Sequence, residues 1–297
     1  MATPKKINYL NNRDLLAEIH KSKNSYCCYL SDEYNRYDFI IDGTSLNLSD
    51  AIELLKNPDN IRLAKEQQAK RIFNETKEKI DPKSISTSSL VFRIMTWDHI
   101  PIAQKQQRKS IKKKTAKDII EFDENELEAE IFAELEDSNS KNEIDDMVHS
   151  KVNFPPFQHY ILDEQSNPIC VGKSHWRNGL HNGEFCKDHG NTTNKLAKMY
   201  IMLSEKYAMK FNWRSYTYRD EMEASAILQL TYVGLRFNEA KSDNPFSFYT
   251  TVVNNAFIRI LNMEKRNQNI RDDILEANNL APSMSRQLSG MKFGDTE

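Results

Sequence analysis

Between Tyr218 and Arg266 apolar residues recur at three- and four-residue steps, the spacing of two helices joined by a tight corner. The first helix, about Tyr218–Phe237, carries one apolar stripe of Met222, Ala226, Leu230, Val233 and Phe237. Ala224, Leu228 and Leu235 form a second stripe, roughly opposite. Glu221, Ser225, Gln229, Tyr232 and Arg236 run between the two. A helix that is apolar on two sides is central in its domain or shared with a partner. The corner, Lys241-Ser242-Asp243-Asn244-Pro245, offers Asn244 as N-cap and Pro245 at the first helical position. The second helix then buries Phe246, Tyr249, Val253, Ala256, Phe257 and Ile260. Its other face shows Phe248, Thr251, Asn255, Arg259, Asn262 and Arg266, where a merely soluble helix usually shows Glu/Lys pairs. Amides and guanidinium groups can pair with base edges, Arg also neutralises phosphate, and an aromatic ring can stack on an unpaired base. The alternative is a polar, solvated face.

The same pattern places other elements. A short amphipathic helix runs from about Asn12 to Lys21 with Leu15, Leu16 and Ile19 inward. Residues 45–73 read as mostly helical, broken at Pro58. Residues 191–211 read as a helix capped by Thr192 or Thr193, with Leu196, Met199, Tyr200, Leu203, Tyr207 and Phe211 on one face. His159–Leu162 and Ile169–Val171 flank a turn and predict a hairpin. Periodicity leaves Tyr26–Ile41 as two short strands or a helix, and Ser89–His99 as a strand or a short helix. A short helix is expected near 274–279, then an exposed tail with Leu288, Met291 and Phe293.

Composition changes this picture in three places. Mean hydropathy is −0.71, so not all of the 297 residues are expected in one core. Eight Gly and nine Pro argue against an all-β fold. The net charge of −2 means that any DNA binding must come from local basic patches. From Ile102 a basic run (Lys105 to Lys117) meets a strongly acidic one (118–146), which reads as a solvated linker or, alternatively, as an acidic decoy for a nucleic-acid channel. Four cysteines in a chain of this length are expected to be reduced thiols, and no apolar run reaches membrane-spanning length.

Candidate chemistry is thin. Asp32/Glu33 and Asp38/Asp42 invite a metal-nuclease reading, but no Lys or His base is placed beside them in a recognisable spacing. Cys170, His175, His181, Cys186 and His189 invite zinc, yet only Cys186-x-x-His189 is tightly spaced, and a hairpin cap packed by Trp176 and Phe185 is the plainer reading. There is no Gly-rich phosphate loop. A non-enzymatic binding protein without cofactor or metal is expected.

The Asp220–Arg266 block resembles the second region of bacterial sigma factors, whose strand-opening helix begins Phe-Ser-Thr-Tyr-Ala-Thr; here the run is Phe246-Ser247-Phe248-Tyr249-Thr250-Thr251. It is more similar to the late-promoter sigma factors of T4-like phages, including those of viruses of marine cyanobacteria. Glu221-Met222, Gly234-Leu235, Phe237, Glu239, Lys241, Asn244-Pro245 and Asn255-Ala256-Phe257 stand in that family's order, and Asn8–Leu16 resembles its start. Two departures stand out: Val252 and Val253 replace paired tryptophans of housekeeping sigma factors, and Ala224-Ser225 replaces their Gln-Glu pair.

The resemblance implies a mainly α fold. It consists of an N-terminal α-rich segment (1–101), a charged linker (102–150), a small β-hairpin cap (151–190), a sigma-region-2-like helical domain (191–280) and a tail (281–297). It implies a factor that binds host core RNA polymerase and melts an A/T-rich minus-ten-like late-promoter element in the cytoplasm of an infected bacterium. Phe248, Tyr249 and Arg259 would contact the unpaired strand, Thr251, Asn255 and Asn262 would read bases, and Lys265, Arg266 and Arg271 would hold phosphates. Glu221, Ser225, Gln229, Tyr232 and Arg236 would face the polymerase. Gln287, Leu288, Met291 and Phe293 would be a candidate sliding-clamp peptide, and a late-transcription coactivator would assist. The alternative is a phage polymerase- or DNA-binding regulator that does not itself initiate transcription.

Overall fold

The computed structural model describes residues 10–102 and 149–291. The described parts of 1–99 and 152–297 belong to one compact unit, and those of 100–151 to another, in which Ile102 bridges His149.

In the large unit the expectation of a mainly α fold is overturned. Seven α-helices among the described residues accompany a five-stranded mixed sheet and a two-stranded one, so the fold is α/β. The strands are β1 (Cys27–Tyr29), β2 (Phe39–Asp42), β3 (Phe92–Met95), β4 (Phe157–Leu162) and β5 (Pro168–Ser174), in spatial order β1-β5-β4-β3-β2. Only the β2–β3 pair is parallel. The expected hairpin is β4–β5, and it is not a cap: β4 is the central strand. β6 (Trp176–Arg177) and β7 (Glu184–Phe185) form the small second sheet.

The sheet escaped the sequence pattern for a physical reason. All four residues of β3 are buried, as are five of six in β4, because both faces of the sheet are covered. Strands covered on both faces lose the apolar–polar alternation that marks a half-buried strand. One cover is built from α2 (Leu48–Glu53), the single helical turn Leu54–Lys56 and α3 (Pro58–Thr76), where Ala51, Leu55, Ala64 and Ala69 share a core with Ile41, Phe92, Ile94, Tyr160 and Leu162. Asn57 caps α3 through a bond from Asp59 N at 3.0 Å, and Pro58 opens it.

The remaining helices are α1 (Asn12–Asn24), α4 (Asn194–Ala208), α5 (Arg219–Val233), α6 (Pro245–Ala277) and α7 (Met284–Met291). α1 docks on the start of α4. Ser22 Oγ accepts from Thr193 N at 3.0 Å, and the buried Glu18 accepts from Thr193 Oγ1 at 3.0 Å and Lys195 Nζ at 3.2 Å. Thr193 in turn caps α4. The predicted stripes of α5 and α6 are buried at Met222, Ala226, Leu230, Val233, Phe237, Tyr249, Val253, Ala256 and Phe257. α6 runs on through Asn267-Gln268-Asn269, where the sequence suggested a break, since no Gly or Pro interrupts 246–281. The tail also differs: 284–291 is helical and returns to α6, with Ser283 N and Oγ donating to Asp272 at 2.8 and 2.7 Å and Arg286 pairing with Asp273 at 2.6 Å.

Gly234 sits where α5 ends, and a Cβ there would collide with the Tyr200 hydroxyl. Its carbonyl accepts from Tyr249 Oη at 3.0 Å, and the two tyrosine hydroxyls lie 3.3 Å apart. Gly234→Ala is expected to lower the unfolding free energy by about 1–3 kcal/mol, the usual range for overpacking, read from urea midpoints.

A buried polar cluster ties the sheet to α1 and to the residues that follow α5. Arg93, on β3, is fully buried with its guanidinium 3.8 Å from the Phe157 ring centre and 4.0 Å from that of Tyr37. Its Nε donates to His159 Nε2 at 2.9 Å and its Nη2 to His20 Nδ1 at 3.2 Å. Each histidine therefore keeps its proton on the other nitrogen, which donates to Tyr34 O (His159) or Asn35 O (His20). Both rings are neutral. Lys23, on α1, donates to Phe237 O and to Glu239 Oε2, both at 2.7 Å, while Arg93 Nη1 stands 4.0 Å from Glu239 Oε1.

Candidate nucleic-acid interface

α6 sorts its residues by depth. Its start is fixed by Asn244 Oδ1 accepting from Ser247 N at 3.1 Å and by Phe246 N donating to Asn12 Oδ1 at 3.1 Å. The first half is held in the core through Tyr249, Val252, Val253, Ala256 and Phe257. The two valines that stand in place of tryptophans thus serve packing.

Of the proposed DNA contacts, Thr251, Asn255, Asn262, Lys265, Arg266 and Arg271 are exposed, and Phe248 and Arg259 are half-buried. From Thr251 to Arg266 they span about 22 Å of one helix at 1.5 Å per residue. Thr251 Oγ1 is partly engaged, donating to Ser247 O at 3.0 Å. Phe248 leans on Phe237 and Tyr249, with ring centres 5.7 and 5.6 Å away. Tyr249 is corrected by the structure: it is fully buried against Tyr200 and belongs to the core, not to a surface that meets DNA. The carboxylates near the end of α6 are spoken for. Asp272 is bonded by Ser283, which holds its carboxyl below the ordinary range, and Arg286 meets Asp273 and, at 3.0 Å, Glu276.

On α5, Glu221 and Tyr232 are exposed and Ser225 and Arg236 half-buried. Gln229 is only 7% exposed, so it is not part of any outer face. Leu228, from the second apolar stripe, is exposed, whereas Leu235 is buried. At the tail, Gln287 donates to Pro282 O and Leu288 is exposed. The Met291 side chain and Phe293 lie outside the described residues, as do the basic and acidic runs and Asn8-Tyr9.

The metal readings find no support in geometry. Asp38 is paired with Arg71 at 2.7 Å and accepts from Val91 N at 3.0 Å, and Asp42 accepts from Thr44 Oγ1 at 2.6 Å. His175 is buried with its ring 4.2 Å from that of Phe154, and His189 Nδ1 bonds Cys186 O. Among the described residues no three His, Cys, Asp or Glu side chains are grouped to hold a metal ion. Nor is any described helix long and apolar enough to cross a membrane.

The connection from α4 to α5 is packed against α6. Phe211, expected on the buried face of α4, is 78% exposed. Trp213 packs on Phe257 of α6 at 5.4 Å instead, and Tyr207 Oη donates to Asn254 at 2.7 Å. The signal was present in the sequence as interleaved basic and aromatic residues from Lys206 to Arg219.

Comparison of the chain with protein-family models, with curated proteins and with solved structures finds no match.

Proposed function

We propose that this protein is a late sigma factor of the phage type: it binds a host core RNA polymerase and directs opening of an A/T-rich minus-ten-like promoter element. The observation that carries the reading is the outer face of α6. One helix, anchored by its inner face, presents Thr251, Asn255, Asn262, Lys265 and Arg266 along an exposed line, with Phe248 and Arg259 beside it. Amides suit base edges, cations suit phosphates, and T-A steps are cheap to unstack. The sequence resemblance points the same way. Glu221, Ser225, Tyr232 and Arg236 are the polymerase-facing set, without Gln229. The sliding clamp and coactivator would supply upstream recognition, and the site of action would be the infected cell's cytoplasm.

The test is run-off transcription with bacterial core polymerase on a template whose only promoter-like feature is that element, with permanganate footprinting of unpaired thymines. A protein-dependent transcript with reactive thymines in the element is expected. Asn255→Ala and Asn262→Ala, at exposed positions, should each lower the signal about tenfold, as loss of an amide–base pair does. Polymerase binding with neither transcript nor reactive thymines, even with clamp and coactivator present, would overturn initiation and leave a regulator.

A further inference from the structure

Residues 206–219 read Lys-Tyr-Ala-Met-Lys-Phe-Asn-Trp-Arg-Ser-Tyr-Thr-Tyr-Arg, with four basic side chains, five aromatic ones and no acidic one. The run is bordered by Glu205 on one side and Asp220-Glu221 on the other, so its positive charge is confined to the turn itself.

The segment is built as a series of tight turns. Lys210 N donates to Tyr207 O at 3.1 Å, Trp213 N and Arg214 N to Lys210 O at 2.9 and 3.0 Å, and Tyr216 N to Trp213 O at 3.2 Å. Its inner aromatics are fixed. Trp213 and Tyr207 lie 5.4 and 5.3 Å from the ring of Phe257, and Tyr216 lies 5.2 Å from Tyr218. Its outer residues are presented to solvent. Phe211 is 78% and Met209 72% exposed, the Arg214 guanidinium lies 5.1 Å from the Phe211 ring, and Lys210 Nζ lies 3.8 Å from that of Tyr207. Lys206, Lys210 and Arg214 are exposed, and none is ion-paired among the described residues; Arg219 pairs with Asp220 at 3.1 Å.

We infer that this turn is a binding platform for single-stranded nucleic acid, with a base stacking on Phe211 and Arg214 and the adjoining phosphates held by Lys206 and Lys210. Every base offers a π-face, so an exposed ring flanked by cations is the general device for holding unpaired strands. A duplex keeps its bases stacked on one another and cannot use the ring. A protein surface would need to supply carboxylates opposite three separate cations, whereas a polynucleotide supplies an anion at each residue. The platform is anchored on Asn254 and Phe257, in the turns of α6 that also carry Asn255 and Arg259. The inference does not depend on promoter opening, since it concerns affinity for unpaired strands alone.

Fluorescence anisotropy of the full chain with a labelled oligothymidylate of about 12 nucleotides, within the usual site size, and with a duplex of equal length tests it. The single strand should bind more tightly than the duplex. Phe211→Ala should weaken single-strand binding about tenfold and leave the thermal midpoint unchanged, because the ring is exposed. Lys206→Ala with Lys210→Ala should reduce the salt slope by roughly 1.4, two phosphate contacts' worth. Unchanged affinity in Phe211→Ala would overturn the proposal. So would equal binding of duplex and single strand, or loss of polymerase association with oligonucleotide affinity intact, which would make the turn a protein-docking surface.

Discussion

Glu239→Ala should be the most damaging single substitution in the buried cluster, lowering the unfolding free energy by about 3–5 kcal/mol. The carboxylate is the one anion set against two buried cations, Lys23 and Arg93. Burial works against its ionised form, but Lys23 and Arg93 outweigh that and hold its carboxyl below the ordinary range. Without it, two positive charges stay in the interior with no counter-charge, and Lys23 loses its 2.7 Å bond. Arg93→Met is a different case. It leaves Lys23 and Glu239 as a neutral pair, and its cost is the hydrogen bonds lost by His20 and His159, about 0.5–1.5 kcal/mol each at the usual net worth of such a bond. Urea unfolding of the two variants should therefore rank Glu239→Ala below Arg93→Met, against a total stability of roughly 5–15 kcal/mol. The reverse order would show that the guanidinium's packing between Tyr37 and Phe157, not charge balance, dominates the cluster.

The second large effect is acid sensitivity. Burial pushes His20 and His175 down to about 3 and His99 to about 4, and burial together with Arg93 pushes His159 well below its ordinary value. In the unfolded chain each titrates near 6.5. Below that pH the unfolded state binds protons that the folded state refuses, so stability is complete above about pH 6.5 and falls as pH drops toward the folded values. One pH unit is worth about 1.4 kcal/mol per group, so at pH 5 each histidine should have withdrawn roughly 1–2 kcal/mol. The four together approach the whole of an ordinary domain's stability. Circular dichroism melts at intervals from pH 7.5 to 4.5 should show a steep decline beginning near 6.5. A flat profile down to pH 5 would mean that these histidines are protonated in the folded protein.

What the sequence made legible, and what it did not, divides by range of interaction. Caps are local, and Thr193 and Asn244-Pro245 start helices where the sequence places them, while Pro58, read as a break, opens α3. Stripes are nearly as local, so the inward faces of α4 to α6 were readable. The sheet was not, because β3 is four residues long and pairs with strands brought in from both sides, β2 and β4. Arg93 in the run Phe92-Arg93-Ile94-Met95 was the one visible sign of an interior charge, and nothing nearby in sequence names its partners. Glu239 is singled out in the sequence only by the resemblance, and nothing there shows that it is buried with Lys23. At the proposed site, spacing put Asn255 and Asn262 on the outer face of α6 and Tyr249 on its inner stripe, as they stand; it was the resemblance that assigned Tyr249 to the unpaired strand, and nothing in the spacing shows that Gln229 is enclosed.

The Lys23–Glu239 bond spans 216 residues of sequence, and this bears on how the chain is made. Synthesis at roughly 5–20 residues per second leaves the Lys23 ammonium without its carboxylate for about 10–40 s after it emerges. During that interval β1 also lacks β5, and β3 lacks β4. The early half of the nascent chain therefore cannot complete its core by itself. Its strand edges stay unpaired until β4 and β5 have been translated, and Lys23 lacks its counter-charge until the residues after α5 follow.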